Sequence, residues 1–596
     1  MPKASMLGSS IYALRVLKNL HTITKITCDN VLDDPTYFIL QLSRRLDSVS
    51  LGKIAASCSR LLPQSAVVFR GFTLALSGNT LHLRAFLRNL DTDSLSDQKL
   101  ARLGDLAVGI QDPISAAHLL ENRDSPNVAL RRTQARYAWY LGDMQNSIDL
   151  LATAVPASNR QLRHYRSELA VFRGATPTIS GVVSRHHDPS IRTGALHFLT
   201  NSLPHTGSGY AQRSHSILTS LQDEGWQISV LTRAGYPLSV GKAGARAADI
   251  IDGISYGRVL PVKYESDMQS KIQQQADALT EAVLQLNPSV LHTTTDFSNA
   301  LAVMSVAEAF ALPWVYEVRG QLADTWASTR PDHARNSERF RLFKEREAYV
   351  AARATHVLTL GEAMKSELVS KGVPSEKISI APNAVGDSYL EEPIRRSEAH
   401  LALDLPSEHQ YVGTVSSLVA YEGLDLLIRA AAELIPKNPK LRVLIVGSGV
   451  ESNNLKELSK SLGIFEYCIF PGRVPRDEAR TYHCALDIFV VPRRNLSVTQ
   501  AVTPLKPVEA LACEVPVIAA DLPALRELVM HGETGLLVKP DDSHRLAEAI
   551  RTLLNDPSKR ASMGAAGRKK MLAERTWTAN AQKLSATYKL IAGKLQ

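Results

Sequence analysis

From Ala195 onward, short apolar runs rich in β-branched residues alternate with longer helix-like stretches. The runs are ALHFLTNSL, QISVLTRAG, SVLHTTTD, WVYEVRG and THVLTLG, then YVGTVSSL, LRVLIVGSG, CIFPGRV, IFVVPRR and VPVIAAD. Hairpins leave no room for a helix between successive strands, whereas a parallel crossover requires one, so the pattern predicts parallel α/β sheets. A break at Pro382-Asn383 divides the series and predicts two Rossmann-like domains in tandem, residues 191–390 and 391–596, with a cleft between them. Ligands of such sheets gather at the carboxyl ends of the strands, so both domains should turn their loops toward that cleft.

Residues 1–190 read differently. Segments such as LARLGDLAVGIQDPISAAHLLEN and ARYAWYLGDMQNSIDLLATAVPASN carry apolar positions three and four apart, which predicts helical hairpins. Their internal offset of about 31 residues is close to the tetratricopeptide period, with an irregular all-helical domain as the alternative. The Gly-, Pro-, Ser- and Thr-rich stretch 176–194 marks the boundary. The first twenty residues are expected to form an amphipathic helix, since Arg15 and Lys18 interrupt any export-signal core. This third holds 22 lysines and arginines against 15 acids, or +7 of the chain's +9. It could meet anionic lipid or an acidic protein partner, with a solvated helical surface as the plainer reading. No basic run interleaved with aromatics is present, which argues against nucleic acid.

Composition excludes other classes. With 44% hydrophobic and 21% charged residues the chain can build several cores, and no run reaches the roughly 18 apolar residues of a membrane span. Five scattered cysteines (Cys28, Cys58, Cys468, Cys484, Cys513) form no CxxC pair, which argues against a disulfide framework or zinc site and for a reducing cytoplasm.

Four segments carry candidate chemistry. In SLPHTGSGYAQRSH, Gly207 and Gly209 lie between a strand and a helix, a place where backbone can approach an anionic ligand or simply turn tightly. In VLIVGSGVE, Gly447 and Gly449 end a strand, and FPGRVPRDE with Arg473 follows; these could cradle a nucleotide's ribose or phosphate edge. In VVPRRNLSVTQAVTPLKPVEALA, residues Arg493, Arg494, Lys506 and Glu509 gather around the turn Thr503-Pro504-Leu505, ahead of a helix expected from about Val508. That is a plausible diphosphate site, with Glu509 as a helix-dipole residue in the alternative. In YEVRG, Glu317 and Arg319 point the same way from a strand end. They could touch an acceptor, or brace the following loop as an internal ion pair.

These segments occur in the order found in family 4 retaining glycosyltransferases, and residues 195–596 resemble that family and its GT-B fold. The quoted variants, with NPSVLHTTTD, ISIAPNAV, YEGLDLLIRAAAEL and GETGLLVKPDD, are similar to a bacterial exopolysaccharide or cell-envelope subgroup. The resemblance implies a donor lobe that binds a nucleotide-diphosphate sugar, UDP-linked by preference and GDP-linked as the other option, and an acceptor lobe for a glycan, lipid-linked or polyol hydroxyl. It implies that Glu509 holds the ribose hydroxyls, that Thr503, Pro504, Leu505 and Lys506 meet the diphosphate, and that Arg473 and Val474 lie beside the base. Tyr210, with Glu317 and Arg319, would face the acceptor, and His292 would touch sugar or acceptor or else be a satisfied histidine at a strand end. The helix near Trp577 would cross back onto the first lobe.

The chain departs from the family pattern in places. The first glutamate of E-x7-E falls at Ala501, so the neighbouring Gln500 is the polar candidate to hydrogen-bond a sugar hydroxyl there, and the two usual cations are absent near Thr414–Ser417 and at Glu422. Lys506 with Arg493 or Arg494 is expected to replace them. No Asp-x-Asp motif stands in a suitable loop, so metal-independent transfer of a hexose without a cofactor is expected. The expected location is the cytoplasm, peripheral to the inner membrane face. A sugar-nucleotide epimerase on the same fold, or a scaffold with an impaired donor site, remain the alternatives.

Overall fold

The structure, a computed structural model, describes residues 3–36, 38–40, 66–77, 80–180 and 194–593. The first sheet contains β1 (Ala195–Leu199), β2 (Ile228–Thr232), β3 (Ala248–Ile251), β4 (Ile254–Arg258), β5 (Val290–Thr294), β6 (Trp314–Val318), β7 (His356–Thr359) and β8 (Ile378–Ile380). Its order is β3-β4-β2-β1-β5-β6-β7-β8, parallel throughout except for the edge hairpin β3–β4. The second contains β9 (Gln410–Val415), β10 (Leu441–Val446), β11 (Cys468–Gly472), β12 (Ile488–Val491), β13 (Val517–Ala520) and β14 (Gly535–Val538), in the parallel order β11-β10-β9-β12-β13-β14. This is the two-lobed GT-B arrangement. Every residue of β1, β5 and β6 is buried, because helices cover both faces of a parallel sheet, and the runs therefore read as unbroken apolar stretches.

The chain passes between lobes at two adjacent points. Val385 N–H donates to the Arg575 carbonyl at 2.9 Å, and Trp577 N–H donates to the Val385 carbonyl at 3.2 Å. Beyond this joint, the helix Trp577–Gly593 lies on the first lobe. Its Trp577, Ala581, Leu584 and Tyr588 pack with Ala195, Ile217, Val290 and Val315, and Trp226 Nε1 donates to Ser585 Oγ at 2.9 Å. The first lobe is thus completed by the helix Trp577–Gly593.

The N-terminal region is helical. The helices Asp97–Gly109 and Pro113–Leu120 recur 31 residues later as Val128–Leu141 and Met144–Ala152. The region docks on the first lobe. Gln145 N–H donates to Glu338 Oε2 at 2.7 Å, Arg173 pairs with Glu338 at 2.7 Å and Glu168 with Arg339 at 2.8 Å. The helix Lys3–Asp33 reaches the same lobe through Asn19, whose amide donates to the carbonyls of Ala243 and Ala245. Several arginines of this region pair internally, Arg88 with Asp112, Arg123 with Asp93, Arg136 with Asp105 and Arg160 with Asp33. Cys28, Cys468, Cys484 and Cys513 are free thiols. Cys58, and residues 181–193 of the expected boundary stretch, lie outside the described residues.

Candidate functional site

The carboxyl ends of both sheets meet at the cleft, and the loops there touch across it. Gln212, on the first-lobe helix Gly209–Asp223, accepts a hydrogen bond from Arg476 of the second lobe. Arg473 is exposed, and its guanidinium lies 3.6 Å from where a side chain on Gly207 would begin. Gly209 has open space at that position. The Gly207–Gly209 loop therefore leaves room beside a cation.

In the second lobe, Gly447 and Gly449 serve a backbone contact. A Cβ on Gly447 would sit 1.8 Å from the Ser416 carbonyl oxygen and one on Gly449 2.1 Å from that of Leu418. Any side chain would drive the strand end off the 416–418 loop. Val474 is half-buried against the second-lobe core.

After β12 the chain makes the helix Ser497–Ala501, turns at Thr503 to Leu505 and enters the helix Lys506–Ala512. That helix begins two residues earlier than the spacing predicts, with Pro507 in its first turn where a missing N–H costs nothing. Lys506 and Glu509 thus share its first turn, and Lys506 Nζ donates to Glu509 Oε2 at 2.7 Å. The Lys506 side chain is 36% exposed and the Glu509 side chain 8%. Thr503 is buried, with its hydroxyl toward the Leu360 carbonyl of the first lobe, and Leu505 packs near Trp577. Pro504 is half-buried between them. Gln500 is exposed and donates to Asn495 Oδ1, while Ala501 is buried.

Arg493 and Arg494 are both ion-paired within the second lobe. Arg493 is bound bidentately by Glu422 at 2.7 and 3.0 Å and donates to the Val502 carbonyl. Arg494 bridges Asp425 and Asp541 at 2.5 and 3.0 Å. Acids from the YEGLD segment and the loop after β14 thus pair with both arginines. A guanidinium as buried as Arg493 requires such a partner.

His292, Glu317 and Arg319 are all buried and turned into the first lobe, with Glu317 and Arg319 forming the internal ion pair that the sequence left open. Glu317 Oε1 accepts from Arg213 at 2.8 Å and Oε2 from Arg319 at 2.6 Å, with His292 Nε2 at 3.4 Å. Burial alone would raise the Glu317 carboxyl, but Arg319, Arg213 and His292 outweigh it and hold it well below the usual carboxylate range. His292 Nδ1 pairs with Tyr588 OH at 2.5 Å, and its ring stacks on His197 at 4.5 Å. Burial lowers the pKa of both imidazoles. Arg319 also donates to the Tyr210 carbonyl and to Ser214 Oγ. Tyr210 itself is 42% exposed, and its hydroxyl lies 2.7 Å from where a Cβ on Gly320 would stand. It is the member of this group that presents a surface.

Sequence reasoning missed Arg213, His197, Tyr588 and Asn383. An arginine one turn into a helix after a glycine loop is unremarkable by itself, and only the partner Glu317, 104 residues away, reveals it. Also missed was Glu347. Burial raises its carboxyl to about 8, beside an enclosed cavity of about 20 Å³, room for one water, where Tyr316 OH and Gln321 Oε1 have no hydrogen-bond partner. Among the described residues, no cluster of three or more His, Cys, Asp or Glu could hold a metal ion, and no helix is long and apolar enough to cross a membrane.

Residues 208–384 match the family model described as a glycosyl transferase 4-like domain, and residues 396–570 the one described as glycosyl transferases group 1. A GDP-mannose-dependent alpha-(1-6)-phosphatidylinositol monomannoside mannosyltransferase of Mycolicibacterium smegmatis is 31% identical over 233 residues, 39% of this chain and 60% of that protein. A D-inositol 3-phosphate glycosyltransferase of Corynebacterium diphtheriae is 26% identical over 418 residues, 67% of this chain and 94% of that protein. The chain spans less than two thirds of the length of the first of these. Among solved structures, a sucrose-phosphate synthase from Thermosynechococcus elongatus superposes with a TM-score of 0.57 at 20% identity, over 67% of this chain and all of that one. Anabaena HepE in complex with UDP gives 0.52 at 18%, over 66% and 99%. Both share the fold. Each lobe thus matches, in order, a glycosyl transferase family model over residues 208–384 and 396–570, and the two together share the GT-B architecture.

Proposed function

We propose that this chain transfers a hexose, with retention at the anomeric carbon, from a nucleotide-diphosphate sugar to a hydroxyl of a glycan, lipid-linked or polyol acceptor in cell-envelope or exopolysaccharide synthesis. The observation that most supports this is the Lys506–Glu509 pair in the first turn of one helix, on a loop that contacts the opposite lobe through Thr503. Glu509 accepts hydrogen bonds from the ribose hydroxyls. Lys506 meets the diphosphate with the Thr503-Pro504-Leu505 turn, and Arg473 and Val474 lie beside the base. In a closed cleft Lys506 stabilises the charge that grows on the leaving diphosphate, so transfer runs without a metal. The bond from the anomeric carbon to the phosphate oxygen breaks while the acceptor oxygen bonds on the same face, and the acceptor proton passes to the departing phosphate oxygen. Tyr210 borders the acceptor. The names of the relatives bring GDP-mannose and inositol-based acceptors forward beside UDP-sugars. A peripheral position at the inner membrane face fits a lipid-linked acceptor.

The test is the shift in melting temperature with UDP, GDP, ADP and their sugars, for wild type and for Lys506→Ala and Glu509→Ala. A ligand at a hundred times its Kd stabilises by about 2.7 kcal/mol. One nucleotide family should stabilise the wild type and neither variant. A second reading, a scaffold with an impaired donor site, is favoured by the neutralisation of Arg493 and Arg494. It gains if no nucleotide stabilises the wild type.

A further inference from the structure

Asn383 lies at the crossing between lobes and is 7% exposed. Its Oδ1 accepts from Arg213 Nη1 at 3.2 Å, and its Nδ2 donates to the Thr503 carbonyl at 2.9 Å. A guanidinium only donates and a carbonyl only accepts, so bridging the two takes a side chain with an acceptor and a donor on separate atoms, which the Asn383 amide supplies. Arg213 is itself held by Glu317 and by the carbonyls of Ala381 and Pro382, and its guanidinium lies 5.4 Å from the Trp577 ring. A rigid buried network in the first lobe therefore reaches through one amide to the first residue of the Thr503-Pro504-Leu505 turn in the second.

We propose that Asn383 is a positioning residue for the nucleotide donor: by holding the Thr503 carbonyl it sets the turn from which Lys506 and Glu509 meet the nucleotide diphosphate. The inference rests on the donor-site reading of Lys506 and Glu509. It assigns to the first lobe, through Arg213 and Glu317, a share in the geometry of the second lobe's site.

Asn383→Asp tests it. A carboxylate keeps the bond to Arg213 and adds a charge that suits two guanidiniums sharing one Glu317, but it cannot donate to Thr503. The probe is whichever of UDP or GDP stabilises the wild type, with affinity measured by titration calorimetry and folding by melting temperature. The expected result is a variant that melts within a few degrees of wild type and binds the nucleotide about tenfold more weakly, the scale of one buried hydrogen bond. Asn383→Ala, which removes the donor altogether and is read the same way, replaces it if the aspartate variant does not melt cooperatively. Binding within twofold of wild type in the folded variant overturns the inference while leaving the donor site standing, provided that Lys506→Ala loses binding in parallel. A wild type that binds neither nucleotide overturns the donor-site reading and the inference with it.

Discussion

At the end of β6 in the first lobe, Glu317 has no exposed surface and both its oxygens are taken by Arg213 and Arg319. At the corresponding edge of the second lobe, Lys506 is partly exposed and shares a single bond with Glu509, and Arg473 is open to solvent beside Gly207. Both lobes place charged residues at strand ends. In the first they are desolvated, multiply bonded and committed to the fold, whereas in the second the loosely held ones remain free to exchange a protein partner for a ligand. A strand-end charge is therefore read by what it already touches, and by that measure the second lobe holds the candidate donor chemistry.

The comparison can be broken most sharply at Arg213. Arg213→Met should cost about 3 to 5 kcal/mol in denaturant unfolding, because it strands a buried carboxylate with one fewer partner. A loss under 1 kcal/mol would mean that the first-lobe network is as slack as the second's. The same network predicts an acid limb. Glu317 has a depressed folded pKa, so its contribution is complete above its unfolded value near 4.5 and is lost as pH falls below that value toward the folded one. Acid unfolding of the wild type should therefore be steeper than that of Glu317→Gln.

Glu347 sharpens the contrast with the opposite sign. Its carboxyl stays protonated in the fold to about 8 but ionises near 4.5 when unfolded, so it penalises folding increasingly as pH rises between those values. Glu347→Gln should raise stability by about 2 to 4 kcal/mol above pH 8 and leave it unchanged below pH 4.5, measured as a pair of unfolding curves. Smaller effects are expected in the second lobe. Arg494→Ala, which removes a partly exposed bridge between Asp425 and Asp541, should cost about 1 kcal/mol. Lys506→Ala should cost about 0.5 kcal/mol or less while abolishing nucleotide stabilisation. A Lys506→Ala variant as unstable as Arg213→Met would erase the distinction between the lobes.

The sheets were legible because their signal is local. Runs such as VLHTT and WVYEV are apolar at every position, which a strand buried on both faces requires. The edge hairpin β3–β4 was equally legible and was missed: Asp252-Gly253, both with positive φ, is the hairpin dipeptide. The motif order located the turn at Thr503 and the neighbouring Lys506 and Glu509. It could not show that Glu422 and Asp425 hold Arg493 and Arg494, since ion pairs 71 and 69 residues apart leave no periodic trace.

By itself, then, the sequence determined the alternation of strands and helices, the two parallel lobes and the helical hairpins 31 residues apart, all of which follow from apolar spacing within a few turns of chain. Only the tertiary structure decided which charges are free. A charge is committed or available according to its burial and its partners, and those partners arrive from the other end of the lobe, as Arg213 does for Glu317, or from the other lobe, as Asn383 does for Thr503.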